Sequence, residues 1–156
     1  SNVLFDDLSA WNLKEEDKVF PVKLELERGI KLGEIDIEKA MRERRKWEKE
    51  MDFLFNKFDF IALPSAQMFP FDKKINFPSD INGKHLDSYH KWMEIVILPS
   101  LLGLPTISVP VGFNEMGLPM GMQIIARKSE DLKLIAFAKK YEEVFKNSKI
   151  KPKLKN

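Results

Sequence analysis

Residues 98–126 read LPSLLGLPTISVPVGFNEMGLPMGMQIIA, and their rigid and small residues stand where the backbone must stop or turn. Gly103 and Pro105 close an apolar helix, Pro110 and Gly112 bracket the end of a strand, and Gly117, Pro119 and Gly121 surround a turn into a second strand. The segment 106–111 therefore reads as one strand and 120–126 as the next. Asn114-Glu115-Met116-Gly117 joins them as an antiparallel hairpin.

Working upstream, Asp87 offers an N-cap for a helix through Trp92, Met93, Val96 and Ile97 to about Leu102. Before it, Phe60-Ile61-Ala62-Leu63 is a short apolar run closed by Pro64, as expected of a buried strand covered on both faces. Strand, crossover helix and strand predict a parallel pair, 60–63 beside 106–111. Between them, residues 65–87 show little periodicity and much Phe, Pro, Asn and Asp, which reads as a long ordered loop with a small hairpin at Asn82-Gly83.

Further upstream, Val19, Val22, Leu26 and Ile30 recur at helical spacing, with Pro21 near a first turn and Gly33 as a stop. Asp36 offers the next N-cap. Ile37, Ala40, Met41, Arg44, Trp47, Met51, Leu54, Phe55 and Phe58 then form one stripe, while the charge run 42–50 reads as a solvated face of mixed pairs. Downstream, Asp131 caps a last helix with Leu132, Ile135, Ala136, Ala138, Tyr141 and Phe145 available to one side. The resulting expectation is an α/β fold, a mixed sheet with helices packed on it. Residues 1–14 read as an irregular N-terminal segment, 15–146 as a single α/β domain, and 147–156 as a flexible basic tail rather than a nucleic-acid arm.

Composition narrows the function classes. The 156 residues, 44% hydrophobic and 11% aromatic, suffice for one core. Basic and acidic side chains number 26 and 24, so the net charge of +2 gives no reason to propose nucleic acid or an acidic membrane surface as partner. Cysteine is absent, which removes disulfides, thiolate nucleophiles and Cys-based metal sites and fits a cytoplasmic setting. No run approaches the roughly 18 to 20 apolar residues a membrane span needs, and no signal-peptide pattern opens the chain.

Searched for catalytic chemistry, the sequence offers no nucleophile. Ser65, Ser100 and Ser108 stand in apolar contexts, outside any Gly-x-Ser-x-Gly elbow or Ser-x-x-Lys pair, and read as structural hydroxyls, Ser100 bonding within the last helical turn and Ser108 pointing off a strand. His85 and His90, five apart and without Cys partners, do not suit one helical face of a metal site, so no metal and no cofactor is expected. Asp6-Asp7, Glu15-Glu16 and Glu142-Glu143 read as charged surface. The more promising region is 64–70 together with 89–96, at the ends of the proposed strand unit, where open α/β sheets place their ligands. Phe69, Phe71, Trp92 and Met93 are the substrate-pocket candidates there.

The segments GLPTISVPVGF (103–113) and GLPMGMQ (117–123), with FIALPSAQMFPFD (60–72) and YHKWME (89–94), resemble the C-terminal signature of the amidase-signature hydrolases, including the A subunit of glutamyl-tRNA(Gln) amidotransferase. The resemblance implies the C-terminal portion of an α/β/α layered fold that finishes a central sheet and one side of an acyl pocket. It implies amide hydrolysis through an acyl-enzyme, without metal or organic cofactor, by a lysine and two serines, one on a cis peptide, in a Gly/Ser-rich region upstream. That region has no counterpart here, so no catalytic residue is carried over, and inactivity of this part alone is expected. The implied partners are the missing N-terminal catalytic half and a small amide substrate. An uncovered apolar edge or face should favour a homodimer. The alternative reading is a free-standing non-catalytic module that serves as a partner-binding subunit.

Overall fold

The computed structural model describes residues 29–150, and the helix expected over 15–32 lies largely outside them. The chain divides into two compact units, residues 1–42 and 43–156. Helix α1 (Glu34–Phe55) begins in the first and ends in the second. It starts two residues earlier than expected from Asp36. That side chain lies inside the first turn and accepts a hydrogen bond from the Gly33 N–H at 3.1 Å, the reach-back half of a capping box. The charged face pairs with itself along the helix, Arg42 with Glu38, Arg44 with Glu48 and Lys46 with Glu43. The apolar stripe is used only in part: Met51 and Phe55 are buried, whereas Ile37, Met41, Trp47 and Phe58 are exposed.

The second unit continues with β1 (Phe60–Pro64), the short strands β2 (Asp80–Ile81) and β3 (Lys84–His85), helix α2 (Tyr89–Leu102), β4 (Thr106–Phe113), β5 (Pro119–Ala126) and helix α3 (Asp131–Phe145). A 3₁₀ turn at Asn147–Lys149 follows, where the sequence reads as the start of a tail. The β2–β3 hairpin turns at Asn82 and Gly83, both at positive φ (51° and 75°), as a two-residue type I′ loop requires.

The main sheet has the order β1-β5-β4, and both ladders are antiparallel. This corrects the expected parallel pair. β1 and β4 do run the same way, but the hairpin after β4 inserts β5 between them. β1 is in consequence a half-buried outer strand of the described sheet, and β5 is its centre. Side chains of β5 alternate between two cores. Ile124 and Ala126 join Val109, Leu134 and Ala138 under α3, and Ile125 joins Met51, Phe55 and Leu102 under α1 and α2. Ile124 and Ile125 are both 1% exposed, which places about 1.5–3 kcal/mol of burial on each face from a single residue. The layers are helix, sheet and helices, an α/β fold.

Two helix faces differ from expectation. Ser88, not Asp87, occupies the N-cap position of α2, and its hydroxyl donates to the Asp87 carboxylate at 3.0 Å. In α3, Leu134 and Ala138 turn inward with Tyr141, while Leu132 and Ile135 face solvent. The spacing 134, 138, 141 is the helical stripe that meets the sheet. The C-terminus of α2 is as read: Gly103 takes φ 62°, its N–H reaches the Ser100 carbonyl, and the Leu104 N–H reaches that of Pro99, a Schellman closure.

Candidate functional site

β1 and β4 end at the same side of the sheet, beside the first half of α2. Pro64 ends β1, and the next residue still pairs, the Ser65 N–H donating to the Gly121 carbonyl at 2.9 Å. Gly121 is required there by its neighbours. A Cβ on it would stand 2.4 Å from Ser65 Oγ and 3.1 Å from Ser108 Oγ, so the two hydroxyls converge over the bare backbone of β5. Ser100 donates back to the Val96 carbonyl, as expected of a hydroxyl in a last helical turn. Among the described residues no base is hydrogen-bonded to Ser65, Ser100 or Ser108.

Two carboxamides fasten this end. The Gln67 Nε2 donates to the carbonyls of Lys91 (2.6 Å) and Trp92 (2.5 Å). The Gln123 Nε2, 3% exposed on β5, donates to those of Pro64 and Ile95, both at 2.9 Å. Sequence reasoning missed both glutamines. A signal for the second was present: Pro99 lies inside α2, has no N–H, and so leaves the carbonyl four residues earlier, that of Ile95, without its helical donor.

Of the four pocket candidates, the structure brings two together. The rings of Phe71 and Trp92 meet edge to face at 5.4 Å and 82°. Phe69 is 37% exposed on the loop, and Met93, one position beyond Trp92 on α2, is half-buried on a different side of the helix. Phe77 and Tyr89 pair similarly at 6.2 Å and hold the loop at the start of α2. The concavities nearby lie elsewhere. One of 250 Å³ opens between Glu48, Asp52, Leu102, Arg127 and Lys128, and another of 360 Å³ between Phe58, Asp59, Glu130 and Lys133. At the second, Lys133 Nζ bonds Asp59 at 2.8 Å. That hydrogen bond, with the attraction of opposite charges, holds the Asp59 carboxyl below its ordinary value and Lys133 above. No group of three or more His, Cys, Asp or Glu side chains among the described residues could hold a metal ion. No helix there is long and apolar enough to cross a membrane.

The amidase family model matches residues 8–135. The chain belongs to the amidase family. It is 30% identical over 159 residues to the A subunit of glutamyl-tRNA(Gln) amidotransferase from Thermodesulfovibrio yellowstonii, covering 95% of this chain and 31% of that protein. With the corresponding Rickettsia bellii protein it shares 34% identity over 116 residues, 73% of this chain and 22% of that one. The chain thus spans about a third or less of the curated amidase-family relatives it matches. Its fold is that of a bacterial aryl acylamidase of the amidase signature family, with a TM-score of 0.79 and 24% identity over 92% of this chain and 31% of that one.

Proposed function

We propose that the protein containing this chain is a carbon–nitrogen bond hydrolase acting on a linear amide. A Ser–cis-Ser–Lys triad upstream of these residues would perform the chemistry, and this chain would complete the sheet and one wall of the acyl pocket. The observation that carries the reading is the joint end of β1 and β4. There a loop fastened by Gln67 presents the Phe71–Trp92 pair where α/β sheets bind ligands, in a chain of the amidase family. Aromatic walls suit the apolar part of an acyl group, and Phe69 and Met93 would extend that wall. Activation of a serine needs an adjacent base. Since the described serines have none bonded to them, the 156-residue chain alone is expected to be inactive.

The test has two parts. Translation of the coding sequence in frame upstream of Val3 should yield a lysine followed by a Gly/Ser-rich segment with two serines. The longer polypeptide should then release ammonia or amine from simple amides, and alanine at either upstream serine should abolish that release. An upstream sequence without such a segment, or turnover by the 156-residue chain that disappears on replacing Ser65, Ser100 or Ser108, overturns the proposal. A non-catalytic partner-binding module predicts the first of those results.

A further inference from the structure

In an antiparallel strand the N–H and C=O of one residue point to the neighbouring strand and those of the next point away. Two bonds fix this alternation in β4. The Ala126 N–H donates to the Pro105 carbonyl at 2.9 Å, so Pro105, Ile107 and Val109 turn their peptide groups to β5, and Thr106, Ser108 and Pro110 turn theirs outward. The Ser65 N–H takes the Gly121 carbonyl, so Gly121, opposite Pro110, points its backbone to β1 and not to β4, the same parity.

The outer edge of β4 is closed at one end and open at the other. Pro110 has no N–H to offer. Its carbonyl accepts from the Tyr141 hydroxyl at 3.4 Å and from Asn147 Nδ2 at 3.1 Å. Over Thr106 and Ser108, in contrast, no backbone group among the described residues meets the outward N–H and C=O groups. β4 carries no charged residue, and Val111 and Phe113 stand exposed beside it. The opposite edge is guarded: Lys133 lies 5.5 Å over the Phe60 ring and pairs with Asp59, and the Pro64 carbonyl is taken by Gln123. Charges, prolines and side-chain donors are how proteins blunt edges meant to stay free, and an uncharged edge without them is one that something covers.

We infer that a strand of the same polypeptide, from the part of the amidase domain outside this sequence, pairs with β4 across Thr106 and Ser108 and stops at Pro110. The inference rests on the reading above that the chain is part of a longer amidase. The occupant follows from length: the matched relatives are more than three times as long as the part this chain covers, so the family domain has chain to spare for such a strand.

Amide hydrogen exchange, followed by NMR in the 156-residue chain and in the longer polypeptide, tests it. Ile107 and Val109, bonded to β5, should be protected in both. Thr106 and Ser108 should exchange freely in the short chain and at least about 100-fold more slowly in the long one. A Ser108→Pro variant, which removes one outward N–H, should leave the short chain folded and destabilise the long one. Equal exchange at Thr106 and Ser108 in both proteins overturns the inference, as does protection in the short chain that grows with concentration, the mark of a second copy on this edge. Amide turnover and the upstream triad are read separately, so an inactive long chain with protected Thr106 and Ser108 sinks only the functional reading.

Discussion

The Gln123 side chain donates to the backbone carbonyl of Ile95, the carbonyl that Pro99 leaves without a helical donor. A break inside α2 is thereby repaired from the central strand of the sheet, and the same amide reaches the Pro64 carbonyl at the end of β1. One buried carboxamide joins three elements at the candidate site.

Replacing Gln123 by Leu should orphan both carbonyls and cost about 2–4 kcal/mol in urea unfolding, since each unmet buried polar group costs about 1–3 kcal/mol. Pro99→Ala returns an N–H to the helix within reach of Ile95. The double variant should accordingly lose less than the sum of the two singles, by about 1 kcal/mol. Strict additivity would show that the two residues do not share this carbonyl.

Gly121→Ala should be costly because its Cβ would stand 2.4 Å from Ser65 Oγ. The expected loss is about 1–3 kcal/mol, typical of overpacking, read as a lower unfolding midpoint. Combining it with Ser65→Gly removes the clash and should recover most of that loss. Failure to recover would place the strain in β5 itself.

The Asp59–Lys133 pair gives a pH and salt signature. The folded carboxyl titrates below its unfolded value, so its contribution is present above the unfolded value and disappears as pH falls through the folded one. Lys133 titrates above its unfolded value, so its contribution is complete below that value and is lost as pH rises through the folded one. The Tm difference between the wild type and Asp59→Asn should be largest near neutrality. It should shrink at both extremes and also in 1 M salt, which screens an exposed pair. A difference that ignores salt would exclude the ion pair as its cause.

In the longer polypeptide, Trp92→Ala should raise KM for amides with bulky apolar acyl groups by about tenfold, roughly 1.4 kcal/mol of lost contact, with less effect on small acyl groups. Trp92→Phe, which can still meet Phe71, should retain most of the binding. Equal losses for large and small acyl groups would remove Trp92 from the pocket wall.

Much of this fold is legible in local chemistry. The Asn82-Gly83 hairpin, the Gly103 stop and the 114–117 turn each follow from a residue that tolerates positive φ or caps a chain end, and the structure has all three. Strand order is not of that kind. The apolar run 60–63 reveals burial but not its neighbour, and only the antiparallel return after β4 puts β5 between β1 and β4. Asp36 and Asp87 mislead because a carboxylate near a helix start can reach back from N3 or accept from the true cap, as well as being the cap. At the site, the aromatic pair Phe71–Trp92 was readable from composition, whereas Gln67 and Gln123 act through backbone carbonyls that no residue pattern displays.

Asn114 holds the loop between β4 and β5 by itself: its Oδ1 accepts from the N–H groups of Met116 and Leu118, and its N–H donates to the Leu118 carbonyl. Met116 is left 79% exposed, with a side chain to which the loop owes nothing. In a sequence without cysteine, a single Met116→Cys exchange therefore supplies one addressable thiol for a dye or spin label, rigidly tied to the central hairpin and clear of the site.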